Sequence, residues 1–207
     1  MENVELMNVS ELHKYAEGFC KTKKREELFE HAINLYHHFQ FSKQKYLAVF
    51  ILGEIGSESH EAMKFLRTRV SLDEDWRTQE ILAKSFDKYC SKVGYRDCVD
   101  VIKDWLGDHH ANVRRAVIEG LRVWTNKPYF KENPELAIHL IAQLKDDPSE
   151  YVRKSVGNSL SDISKKHGPL VAKEIGSWDI EVPTIRYTYK RAIKHLTSVS
   201  PGSAADL

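Results

Sequence analysis

One segment of this chain is copied twice further along it. Val113-Arg114-Arg115-Ala116-Val117-Ile118-Glu119-Gly120-Leu121 aligns with Val152-Arg153-Lys154-Ser155-Val156-Gly157-Asn158-Ser159-Leu160, 39 residues on, and Tyr189-Lys190-Arg191-Ala192-Ile193 starts a third copy after a further 37. Each copy runs apolar, two cations, small, apolar. A short acidic or polar turn comes first, as in Gly107-Asp108 and Asp146-Asp147-Pro148-Ser149. Small residues at a fixed place let paired helices approach closely, and the unit grows by stacking on its neighbours.

A period near 40 with two helices per unit is that of the HEAT and armadillo class. Weaker copies surround Trp76-Arg77 and Lys45-Tyr46. The expected fold is therefore all-α, a superhelical array of about five or six HEAT-like two-helix repeats. It forms a single domain over residues 1–197, with an N-terminal cap over about 1–40 and a disordered tail at 198–207. Helical windows fall near 9–18, 24–40, 43–55, 58–70, 75–92, 96–106, 111–123, 134–145, 149–166, 169–176 and 183–197, and the six prolines lie between them. No alternation of period two persists beyond a few residues, which argues against strands.

With 42% hydrophobic and 29% charged residues the composition is that of a globular protein. The longest apolar run, Tyr46 to Leu52, is far short of the roughly 20 residues that cross a bilayer, so no membrane contact is expected. The acidic N-terminus, with Glu2, Glu5 and Glu11, does not read as a signal peptide, and the expected location is the cytoplasm. Cys20, Cys90 and Cys98 lack CxxC spacing and suit buried thiols in a reducing compartment. The net charge is only +1, slightly acidic in the first hundred residues and slightly basic after them, so a nucleic-acid partner has to be argued from the placement of cations.

Stacked repeats set equivalent positions side by side. Arg114, Arg115, Arg153, Lys154, Lys190 and Arg191 thus make a ladder of cations, which is either a track for phosphates or a set of ties between neighbouring turns. The run Lys21-Thr22-Lys23-Lys24-Arg25 offers a second basic patch or a solvated helix end. His37-His38 and His109-His110 are adjacent pairs that cannot both face one ion from a helix, and no metal site is expected. No phosphate-cradling glycine loop or nucleophile elbow is found.

The stretch Asn112 to Arg122 continuing through Lys127-Pro128-Tyr129-Phe130, and the stretch Lys145-Asp146-Asp147-Pro148-Ser149-Glu150-Tyr151-Val152-Arg153-Lys154-Ser155-Val156, resemble the AlkC and AlkD group of DNA alkylation repair proteins. The likeness covers about residues 40–197 and is clearest after residue 75. It implies a HEAT-like fold with a cationic concave surface for double-stranded DNA carrying alkylated bases. It also implies an enzyme, a monofunctional DNA glycosylase that hydrolyses the N-glycosidic bond of N3- or N7-alkylated bases without a cofactor or metal, here as a monomer.

The AlkD branch has a Trp followed four residues later by an Asp. Trp76-Arg77-Thr78-Gln79-Glu80 is similar in spacing, with Glu for Asp. Residues i and i+4 share a helix face, so indole and carboxylate would meet one lesion, with Arg77 beside them on the backbone. The resemblance then implies Glu80 as the catalytic carboxylate and Trp76 as a lesion contact. An ordinary alternative is a core Trp and a Glu80–Lys84 pair. Ile118-Glu119-Gly120 is similar to the Ser-Glu-Gly motif of the AlkC branch, making Glu119 a second catalytic candidate, and Asp162 matches a third acid of the pattern. Asn158 stands where the AlkD branch has a second lesion-facing Trp, so one wall of that cleft is missing. Two other readings stay open: a non-catalytic family member that binds damaged or branched DNA by shape, and a HEAT scaffold for a protein partner.

Overall fold

The computed structural model describes residues 4–39 and 42–196. Among these, the protein is all-α and contains no strand. No described helix is long and apolar enough to cross a membrane. The chain divides after Gly120 into two compact units. The tail expected at 198–207 lies outside the described residues.

The first unit holds α1 (Val9–Cys20), α2 (Arg25–His38), α3 (Lys43–Ile55), α4 (His60–Thr68), α5 (Trp76–Val93), α6 (Val99–Leu106) and α7 (Ala111–Gly120). Every residue of α3 from Lys45 to Ile55 is buried, which is why Tyr46 to Leu52 is apolar on all faces. Helices α1, α2 and α5 pack around it, and α7 packs on the far side of α5. The α5–α7 crossing is very close. A Cβ on Gly120 would lie 2.3 Å from the Ala83 carbonyl oxygen, so only glycine fits. Asn8 and Glu11 close a reciprocal capping box on α1, while Ser59 and Asp75 cap α4 and α5.

The second unit holds α8 (Pro128–Glu132), α9 (Pro134–Ala142), α10 (Glu150–Ile175) and α11 (Pro183–Ala192). Helix α10 packs against α9 and α11. The windows expected at 149–166 and 169–176 join into this one helix. They meet across a kink at His167, two residues before Pro169, which has no N–H to give. The short α8 and the 3-10 turn Trp124–Asn126 escape a periodicity search because neither reaches two full turns.

One joint recurs in both units. Asp73, Asp108, Asp147 and Asp179 each accept, through Oδ1, the N–H of the residue two positions on, at 3.0, 2.8, 2.8 and 3.0 Å. A long side chain in the following helix then reaches back to the carbonyls of the turn. Gln79 donates to Asp73 O at 2.7 Å, Arg114 to Asp108 O at 2.7 Å, Arg153 to Pro148 O at 3.0 Å, and Arg186 to Ile180 O at 2.7 Å. The third copy is thus offset from the sequence alignment. Arg186 performs the bonds of Arg114 and Arg153, and Lys190-Arg191 lie one turn further along.

A buried polar cluster ties α1, α3 and α5 together. Glu54, 4% exposed, meets Lys92 Nζ at 2.9 Å, Lys88 Nζ at 3.0 Å and His13 Nε2 at 3.6 Å. Burial pushes its carboxyl up, but the polar contacts with His13, Lys92 and Lys88 outweigh that and hold its pKa down to about 2. His13, Glu17 and Glu54 bring three ligand-type atoms within 4.8 Å of one another, but the two ammonium groups already supply the positive charge there.

Two expectations follow for stability. A carboxyl held below its ordinary value stabilises the fold fully above that ordinary value, near pH 4.5, and the contribution is lost as pH falls toward 2. Urea midpoints measured between pH 7 and pH 2.5 will fall across that window. Glu54→Gln, which takes the carboxylate from two partly exposed lysines that keep Glu17 and the Glu54 carbonyl, will cost about 1–3 kcal/mol at pH 7 and flatten the acid dependence.

Candidate functional site

Helix α5 begins at an unusually well-held loop. The Asp75 side chain accepts the Arg77 N–H at 3.0 Å and the Thr78 hydroxyl at 3.3 Å, and it takes the Tyr46 hydroxyl from α3. Asp73 accepts the Tyr36 hydroxyl at 2.8 Å and pairs with the buried ammonium of Lys45. Burial and the neighbouring carboxylates push both phenols above their usual range. Gln79 donates to Val70 O and Asp73 O, and Asn112 from α7 donates to Ser71 O at 2.8 Å. Val70, Ser71, Asp73 and Asp75 are therefore each tied to a flanking helix.

Trp76 leaves this clamp pointing outward, 60% exposed, with the Arg77 guanidinium 5.1 Å from its ring centre. It is not a core residue. Trp105, Trp124 and Trp178 are the buried ones. Glu80, one turn along, is exposed and has no hydrogen-bond or ion-pair partner among the described residues, so the alternative pair with Lys84 does not form. Glu119 is half-buried on α7, next to Gly120. Because Gly120 abuts Ala83, the end of α7 that carries Glu119 packs against α5, the helix that carries Glu80.

The cations divide by environment. Arg114 is buried, with its guanidinium given to Asp108 O and His109 O. Arg153 is half-buried, bonded to turn carbonyls and set 5.5 Å from the Tyr187 ring centre. Arg191, also half-buried, covers the same ring at 4.5 Å and donates to its hydroxyl at 2.7 Å. Arg77, Lys154 and Lys190 are exposed, and Arg115 is half-buried. On α10, Asn158 and Asp162 are half-buried. Arg122 clamps the Asp162 carboxylate with Nε at 2.7 Å and a second nitrogen at 2.6 Å, and Lys165 adds a contact at 2.8 Å. Burial raises the Asp162 pKa, while Lys165 and Arg122 more than reverse that and leave it lowered.

The family model described as DNA alkylation repair enzyme matches residues 7–196. The chain belongs to this family. Among solved structures it is similar to AlkD2 from Streptococcus mutans, at 42% identity over 94% of each chain with a TM-score of 0.89. It is also similar to smu.31 from Streptococcus mutans UA159, at 43% identity over 90% of this chain and 92% of that one, with a TM-score of 0.87. Likeness to Pseudomonas fluorescens alkylpurine DNA glycosylase AlkC, solved bound to DNA containing an abasic site analog, is one of fold: 23% identity over 94% of this chain and 64% of that one, with a TM-score of 0.51. A curated relative, Uncharacterized protein YhaZ from Bacillus subtilis (strain 168), is 35% identical over 96 residues, 44% of this chain and 27% of the relative, so the match spans about a quarter of that protein's length.

Within this alkylation repair fold, sequence reasoning singled out Trp76 and Glu80 but missed the groups that hold them: Tyr36, Lys45, Tyr46, Asp73 and Asp75. The recurrence of Asp ahead of α5, α7, α10 and α11 was the available signal. Since Trp76 is the one exposed indole of four, Trp76→Phe will remove most of the acrylamide-quenchable fluorescence. Asp75→Ala, which deletes the cap, will cost about 1 kcal/mol in a urea titration and raise the quenching constant only slightly.

Proposed function

We propose that this member of the family binds duplex DNA containing alkylated bases and hydrolyses the N-glycosidic bond of cationic N3- or N7-alkylated bases. The observation that carries the reading is Glu80: an unpartnered, exposed carboxylate one turn from an exposed indole, on a helix start held by five side chains. An alkylated purine is already positively charged and leaves as a neutral base without being protonated. The barrier is the oxocarbenium character that develops on the sugar. A fixed carboxylate stabilises that charge and orients the water that adds to C1′. Trp76 offers its ring face to the cationic base, and Glu119, on the helix packed against α5, is the second candidate carboxylate. Asp162, bound by two cations, orders α10 in this scheme rather than reacting. The exposed Arg77, Lys154 and Lys190, together with Arg115, meet phosphates.

A second reading, binding of damaged or branched DNA by shape without excision, draws support from Asn158, which supplies no second aromatic wall, and from Arg114 and Arg153, whose guanidinium groups are given to carbonyls. Release of free base from methylated duplex DNA separates the two. On the first reading the protein releases 3-methyladenine, leaves uracil and 8-oxoguanine in place and does not nick the strand. Glu80→Gln then binds DNA normally and releases base at least roughly a hundredfold more slowly. Tight DNA binding with no base released selects the second reading. Release by Glu80→Gln at the wild-type rate removes Glu80 and turns attention to Glu119.

A further inference from the structure

We propose that Tyr151 is a nucleobase-stacking residue, with Lys154 one turn along taking the adjoining phosphate. This rests on the DNA reading above and adds a contact from the second unit.

Among the described residues two Trp, Tyr or Phe rings are more than half exposed, Trp76 at 60% and Tyr151 at 75%. Trp76 is the first residue of α5, three positions after Asp73, and Tyr151 is the second of α10, four positions after Asp147, so each ring stands in the first turn of a helix that follows an Asp turn. Tyr151 makes no hydrogen bond, ring contact or cation–π contact among the described residues. The neighbouring Tyr187 is not free in that way. Its hydroxyl donates to Glu150 at 3.0 Å and accepts from Arg191, and Arg153 and Arg191 both lie against its ring.

The backbone under Tyr151 is rigid, because Ser149 N–H is held by Asp147 and Arg153 ties the same turn. A ring fixed in this way loses little freedom on binding. Lys154 is exposed at i+3, on the same helix face. An aromatic face with an adjacent cation suits a base that has left its stack and the phosphate next to it. The contact is indifferent to sequence, since every base has a π-face.

The test uses the full chain and a duplex carrying 2-aminopurine opposite an abasic site, read by anisotropy for affinity and by 2-aminopurine emission for stacking. Circular dichroism controls for the fold, which an exposed ring does not support. Tyr151→Ala is expected to bind about five- to 150-fold more weakly and to lose the quenching seen with wild type. Tyr151→Phe should restore both, and Lys154→Ala should lower the salt slope by about one. If Tyr151→Ala binds and quenches like wild type, Tyr151 is no stacking residue and the DNA reading survives. If wild type binds none of these duplexes, the DNA reading falls and this inference with it.

Discussion

A side chain that reaches back over an Asp turn to bond its carbonyls is the joint on which the repeats depend. Peptide oxygens ahead of a helix cannot stay unpaired once the next helix covers them. A guanidinium supplies several donors in a fixed fork, and its hydrogen bonds to carbonyls are charge-assisted. Arg114, Arg153 and Arg186 serve this purpose in successive turns, and Gln79 does so with an amide. The paired cations of the repeat are thus split by geometry: the first faces inward to the turn, and Arg115 or Lys154 is left nearer solvent.

The turn before α5 departs from its counterparts in a way that bears on function. An amide replaces the guanidinium, and the positive charge comes instead from Lys45, paired with Asp73. Buried ion pairs contribute little net stability compared with apolar packing. Together with the Tyr46–Asp75 contact, this pair fixes where α5 starts and turns Trp76 outward. A large indole left in water has a cost, and the structure maintains it with a dedicated set of side chains. Such an arrangement fits a group kept ready for a ligand.

The close α5–α7 approach at Gly120 brings Glu119 to the helix that carries Glu80, although 39 residues separate the two carboxylates in the chain. Asp162 looks equally available in the sequence, yet Arg122, 40 residues away, clamps it. Pairings at such separations depend on how helices cross, and no local pattern encodes them.

By itself the sequence determined the all-α class, most of the helix windows, the repeat and the family, because apolar periodicity, proline punctuation and turn residues act over one or two turns of chain. It also picked out Trp76 and Glu80 as neighbours on one helix face, since that follows from 3.6 residues per turn. Only the tertiary structure decided that Trp76 is exposed while the other three indoles are buried. It likewise decided that Arg114 and Arg153 serve their own turns, that Arg186 rather than Lys190-Arg191 continues the series, and that one kinked helix spans Pro169. The reason is common to the first three. A cation or an aromatic ring has the same local propensity in water as in the interior, and what separates the two fates is which carbonyls and helices lie across from it after packing.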